Sequence, residues 1–305
     1  MNRWTYERMD CMRMNFEELV KEQEKFIPDN LAKDLSKTLV GVDVDGTMIN
    51  ASNEISEQMK SSLRRLIENG AIFSIASGRG VMSVKSALEK AGVDKCYAVC
   101  SNGGVVAQFN PEFEDGYKIL TRTNFIFKNA IEKLYEKIPN AHFCLENVGK
   151  GFYMDKLFPE NKMIGEQTLK TIDEIKNMPA PRLVVTVPEY TNAQLREIVD
   201  SIDLEDVEYS FGRTAWMDLT PKNMTKKVGL EQLATLLGVN PENTLTIGDG
   251  DNDITMFEWS GHSVAMGDGY YKAKESAKVV TADVYNDGCA AVFEALVNKA
   301  LANSL

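Results

Sequence analysis

Histidine, positive charge and long apolar runs are what this chain has least of. Its two histidines, His142 and His262, lie near no partner at the spacing of a metal site or a catalytic triad, so each reads as structural. Cys11, Cys96, Cys100, Cys144 and Cys289 form an odd set of five with no CxxC pair. Neither a disulfide framework nor a zinc knuckle is indicated, and buried thiols in a reducing compartment are expected. No apolar run approaches the roughly twenty residues of a membrane span. The leading stretch MNRWTYERMDCMRMNFEELVKEQEKF lacks the apolar segment of a signal peptide, so a cytoplasmic protein with no membrane association is expected. Lys and Arg number 34 against 45 Asp and Glu, a formal net charge of -11. That balance argues against nucleic acid as a partner, yet leaves room for a small phosphorylated ligand, which needs only local positive charge. No GxxxxGK[ST] occurs, and GDGYYK from Gly267 lacks the third glycine of a dinucleotide fingerprint.

What is present is a chain of 305 residues, 44% apolar, long enough for two domains or one with a large insertion. The stretch TLVGVDVDGTMIN, residues 38–50, organises it. Leu39, Val40, Val42 and Val44 read as a buried strand. Asp43 and Asp45 follow at its carboxyl end, where an open α/β sheet gathers its chemistry. Residues two apart on a strand point the same way, so both carboxylates are expected to face one site. A turn signal explains Asp45-Gly46 but not an acid inside the apolar run, which is costly unless a cation or hydrogen bonds compensate it.

The pattern then repeats. Met59, Leu63, Leu66 and Ile67 mark a helix with Ser56 as its N-cap, and the strand AIFSIA runs into Ser77-Gly78-Arg79-Gly80. A second helix ends at Gly92, and the strand ending at Cys100 leads into Ser101-Asn102-Gly103-Gly104. Strand and helix in alternation imply a parallel sheet. From about residue 109 to 213 the rhythm breaks into shorter strands spaced by helices, which reads as an inserted α+β domain. Alternation returns with a helix opened by Lys226 and Lys227, whose positive amino-terminal end suits an anion. The strand Thr244 to Ile247 ends in Gly248-Asp249-Gly250-Asp251-Asn252-Asp253. An EF-hand frame begun at Asp249 meets Ser260 where glutamate is required, so this is no calcium loop.

Asp43-Val44-Asp45-Gly46-Thr47, Ser77-Gly78-Arg79, Lys226 and Gly248-Asp249-Gly250-Asp251-Asn252-Asp253 stand in the order of the four motifs of the haloacid dehalogenase superfamily. Asn102-Gly103-Gly104 resembles the NGA turn of its Cof-type phosphatases. The likeness runs from about residue 38 to the carboxyl terminus. It implies a Rossmann-like doubly wound parallel sheet over 38–108 and 214–305, with a C2-type α+β cap inserted at 109–213. Residues 1–37 have no counterpart in the pattern. They are expected to form a helical extension, with Phe16, Leu19, Val20 and Phe26 as a partial stripe. Asn223 and Lys227 stand where relatives commonly have glycine, and Asp268-Gly269 replaces a common Asn-Ala.

By this resemblance the chain is a Mg2+-dependent phosphatase acting on a small phosphorylated metabolite, a sugar phosphate by default. A carboxylate attacking a phosphate dianion needs a cation between them, and an acidic, oxygen-only site suits magnesium. Asp43 and Asp249 are expected to hold the metal, with the Asp45 backbone carbonyl as third ligand. Asp43 is the nucleophile that forms an aspartyl-phosphate, and Asp45 is the acid and base whose pKa rises. Ser77, Gly78, Lys226 and Asn252 bind the phosphoryl oxygens, and Asp253 orients the network. Glu146, Asn147, Lys150, Tyr153 and Arg182 are cap candidates for selecting substrate. The same core would serve a phosphotransferase or phosphomutase; a phospho-accepting signalling module and a binding protein without catalysis are the readings from other classes. Nothing in the pattern separates a monomer from a homodimer.

Overall fold

In a computed structural model, residues 11, 14–158, 163–212 and 214–303 are described. Eight strands form the larger sheet, in the order Val279–Val280, His262–Ala265, Thr244–Gly248, Leu39–Val42, Ile72–Ala76, Cys96–Cys100, Val105–Phe109 and Tyr117–Arg122. The first six are mutually parallel, Val105–Phe109 runs against them, and Tyr117–Arg122 is antiparallel to Val105–Phe109. The central strand Leu39–Val42 is buried at every position, as its unbroken apolar run requires. The helices Glu57–Glu68 and Val81–Ala91 return the chain between parallel strands; Ser56 caps the first, and Gly92, left-handed at φ 71°, ends the second. The α/β class and the doubly wound parallel core are as the sequence implies.

A second sheet of six strands lies within the insertion: Val207–Phe211, Trp216–Pro221, Leu183–Thr186, His142–Asn147, Gly151–Met154 and Glu166–Leu169. It carries its own core around Phe127, Phe143, Leu183, Val185 and Met217. Two strands depart from the expected limits of 109 and 213. Tyr117–Arg122 extends the larger sheet by pairing with Val105–Phe109, and Trp216–Pro221 pairs inside the smaller one. The half-buried Tyr117–Arg122 and the fully exposed Glu166–Leu169 carry little of the apolar signal that marks a strand in sequence.

Within the leading segment, Phe16–Glu24 and Asp29–Lys33 are helices that pack on the last helix, Gly288–Asn303. Leu19 and Val20 are buried, whereas Phe26 is exposed because the helix ends at Glu24; Ile27 and Leu31 enter the core in its place. The expectation for residues 1–10, 12 and 13 lies outside the described residues. Among the described residues no helix is long and apolar enough to cross a membrane.

Candidate active site

The register of the parallel strands brings the predicted loops together. Val42 pairs with Ile75 on one side and Ile247 on the other, so the chain after each strand emerges at the same edge. The Asp43 amide continues that ladder to the Ile247 carbonyl at 2.9 Å, and the Ser77 amide donates to the Val99 carbonyl at 2.8 Å. Asp43, Ser77, Ser101 and Asp249 therefore begin adjacent loops.

At the centre is Lys226, first residue of the helix Lys226–Leu237 and 1% exposed. Its ammonium donates to Asp43 Oδ1 and to Asp253 Oδ1, both at 2.6 Å. Burial opposes that charge, and Asp253 and then Asp43 outweigh it, holding the lysine above its ordinary range. Asp253, fully buried, turns its other oxygen to the amides of Asp249 and Gly250 at 3.0 and 2.8 Å. Asp43, Asp249 and Asp253 each bring one oxygen into a group spanning no more than 4.8 Å. A donor set of carboxylate oxygens fits a hard divalent cation. Both Asp253 oxygens are already engaged, one by Lys226 and the other by the Asp249 and Gly250 amides.

The two aspartates of the first loop differ in burial and in partners. The strand stops at Val42, and the chain turns through Gly46, at φ 87°, and back on Val44, whose carbonyl receives the Met48 and Ile49 amides. Asp43 stays buried, while 58% of the Asp45 side chain is exposed. Both Asp45 oxygens accept from Arg79, Nε at 2.8 Å and Nη2 at 2.6 Å. Its carboxylate stands outside the Asp43, Asp249 and Asp253 group. Burial pushes the Asp43 carboxyl up to about 7, Lys226 pulls against it, and Asp253 and Asp45 add to the rise. The buried member of the pair bears the desolvation.

Ser77 is buried, and its hydroxyl accepts from the Arg79 amide at 3.1 Å. Asn252 donates to Asn102 Oδ1 at 3.0 Å, and the Asn102 amide lies against Gly78, where a Cβ would come within 3.2 Å of it. Asn102 thus ties the Ser77-Gly78 loop to the loop of Asp249, a place that sequence reasoning gave no residue. Its signal was an Asn-Gly-Gly turn at a strand end, and Asn102 is indeed left-handed at φ 49°. Gly103 next to it touches the Thr225 carbonyl, which a Cβ would meet at 2.1 Å. Arg79, Asp45's partner, was read only as part of a motif. Of the cap candidates, Glu146 and Arg182 are buried and reach the loops of the larger sheet, whereas Asn147 bonds the Tyr153 hydroxyl at 3.1 Å within its own.

A family model described as haloacid dehalogenase-like hydrolase matches residues 40–293. The Bacillus subtilis protein YxeH is 26% identical over 283 residues, covering 85% of this chain and 98% of YxeH. From the same organism, the 5-amino-6-(5-phospho-D-ribitylamino)uracil phosphatase YcsE is 24% identical over 260 residues, or 85% of this chain and 95% of YcsE. Among solved structures, the subclass IIB sugar phosphatase BT4131 superposes with a TM-score of 0.67 at 20% identity, covering 83% of this chain and 96% of that one. TM0651 from Thermotoga maritima gives a TM-score of 0.65 at 23% identity, covering 84% and 96%. At these identities the solved structures establish the fold.

Proposed function

Because this chain belongs to the haloacid dehalogenase-like hydrolases, we propose that it is a magnesium-dependent phosphatase that hydrolyses a small phosphorylated metabolite through an aspartyl-phosphate on Asp43. The observation that carries the reading is the convergence of Asp43, Asp249 and Asp253 around the buried Lys226. Asp43 and Asp249 hold the cation, which when bound screens the nucleophile from the phosphate dianion and favours the ionised form of Asp43. Asp43 attacks phosphorus in line, and the Lys226 ammonium with the Ser77 hydroxyl neutralises the transferring oxygens. Asp45, at the mouth of the site, leaves Arg79, takes up a proton from solvent and gives it to the departing oxygen, and then regains one from the attacking water. Asp253 holds Lys226 in place, and Asn252 is positioned through Asn102.

Hydrolases named for sugar phosphates and for a phosphoribitylamino-uracil stand among the similar proteins. A phosphorylated sugar or polyol is therefore the substrate class we assign. The test is a phosphate-release screen over phosphorylated metabolites with Mg2+ and with EDTA. Release from at least one sugar or polyol phosphate, abolished by EDTA and by Asp43→Asn, is the expected result. Undiminished release in EDTA, or turnover by Asp43→Asn within tenfold of the parent, overturns the reading.

A further inference from the structure

Two side chains of the inserted sheet are buried against loops of the larger one. Glu146, on His142–Asn147, and Arg182, just before Leu183–Thr186, are cross-strand neighbours, the Glu146 amide donating to the Arg182 carbonyl at 3.1 Å. Each is 5% exposed. Arg182 donates through Nε to Glu146 Oε2 at 3.1 Å, and through Nη1 to Asp218 Oδ1 at 3.1 Å. The same Nη1 reaches out of its own sheet to the Gly78 carbonyl at 2.5 Å. Glu146 Oε2 also accepts from the Ser101 hydroxyl at 2.6 Å, and its Oε1 sits where a Cβ on Gly80 would come within 2.4 Å. Gly80 precedes the helix Val81–Ala91, whose amino-terminal end favours an anion.

Burying this cluster costs desolvation that an apolar contact would avoid, so stability alone does not account for it. Its geometry does. The Gly78–Arg79 peptide is trans and planar, so its carbonyl and its N–H point to opposite sides. Arg182 holds the carbonyl on the side of the inserted sheet, which fixes the Arg79 N–H on the other side, where it donates to Ser77 Oγ at 3.1 Å. With that lone pair taken, the Ser77 hydroxyl hydrogen is free to turn to a phosphate oxygen.

We propose that Arg182 is a positioning residue: from the inserted sheet, braced by Glu146, it sets the Gly78–Arg79 peptide and through it the phosphate-binding geometry of Ser77. The proposal rests on the phosphatase reading for its site and adds to it the way in which seating of the cap is felt by the phosphate loop. Docking of the inserted sheet and organisation of the loop are then one event, since displacing the sheet removes Arg182 from the Gly78 carbonyl.

The test uses the full chain with Mg2+, p-nitrophenyl phosphate as substrate and inorganic phosphate as ligand, the latter titrated by calorimetry. Arg182→Met is expected to lose tenfold or more in kcat/KM and to bind phosphate at least tenfold more weakly, with half-saturation by Mg2+ moving less than twofold. Arg182→Lys does not restore it, because one ammonium lacks the planar fork that reaches Gly78, Glu146 and Asp218 together. The double variant with Glu146→Gln loses no more than Arg182→Met alone, as members of one network do. If Arg182→Met does not fold, the near-isosteric Glu146→Gln carries the comparison, with a threefold or greater loss of phosphate affinity expected. Phosphate affinity within twofold of the parent in both variants overturns the inference, and so does full rescue by lysine. An inactive parent whose phosphate affinity still depends on Arg182 sinks the phosphatase reading and leaves the inference standing; an active parent indifferent to Arg182 does the reverse.

Discussion

Asp43→Asn removes the proposed nucleophile and should, in metal-free protein, make the fold more stable. Asp43 and Asp253 share the buried positive charge of Lys226, and burial lifts the Asp43 carboxyl from 3.8 to about 7. A carboxyl that binds its proton more tightly when folded stabilises the fold at low pH. That contribution is lost as pH rises through the window from about 4 to about 7, at up to roughly 1.4 kcal/mol per pH unit. The amide of the variant still offers Lys226 an oxygen and cannot ionise, so it escapes the loss. Fixed differences of packing cancel when the gap between the two proteins is followed with pH. Between pH 5 and pH 8 that gap should widen in the variant's favour by about 2 to 3 kcal/mol. Urea denaturation in EDTA at several pH values measures it, and saturating Mg2+ should erase the advantage by stabilising the parent more. A gap that stays flat over this range, or widens in favour of the parent, refutes the argument that Asp43 is held against its own desolvation.

Lys226→Met leaves Asp43 and Asp253 buried without their shared ammonium, so it should cost about 3 to 5 kcal/mol in urea denaturation and abolish phosphate release. Asp45→Asn, by contrast, removes positioned acid–base help worth on the order of 10² to 10⁴ in rate and should leave weak, measurable turnover at nearly parental stability. His262 is buried with its Nε2 unbonded among the described residues, and burial, aided by Lys278, depresses it to about 4. The unfolded chain takes up this proton near 6.5, so the contribution of His262 to stability should fall as pH drops from about 6.5 toward 4, by roughly 2 kcal/mol at pH 5 relative to pH 7. His262→Gln should flatten that slope in denaturation measured at the two pH values. Deleting residues 1–37 uncovers the helix Gly288–Asn303 and removes Leu19, Val20, Ile27, Leu31 and Leu35 from the core. At about 1.5 to 3 kcal/mol per buried side chain the loss is comparable to ordinary domain stability, so the truncated chain should lose its cooperative thermal transition.

The repeating strands and helices of the core were legible in the residues alone, because apolar period, N-caps and glycine stops are local signals that need no knowledge of distant contacts. Asp43, Ser77, Lys226 and Asp249 were legible for the same reason: each follows a strand or opens a helix, and parallel strands deliver such positions to one edge. Tertiary structure alone decided where side chains on turns point. The chain leaves extended geometry at Val42, and the Asp45 carboxylate meets Arg79, 34 residues on. Asn102 meets Asn252 across 150 residues, and Arg182 meets Gly78 across 104, with nothing local to announce either contact. A hydrogen bond from one sheet to another is set by how the two pack. Periodicity reports only which way a residue faces within its own element.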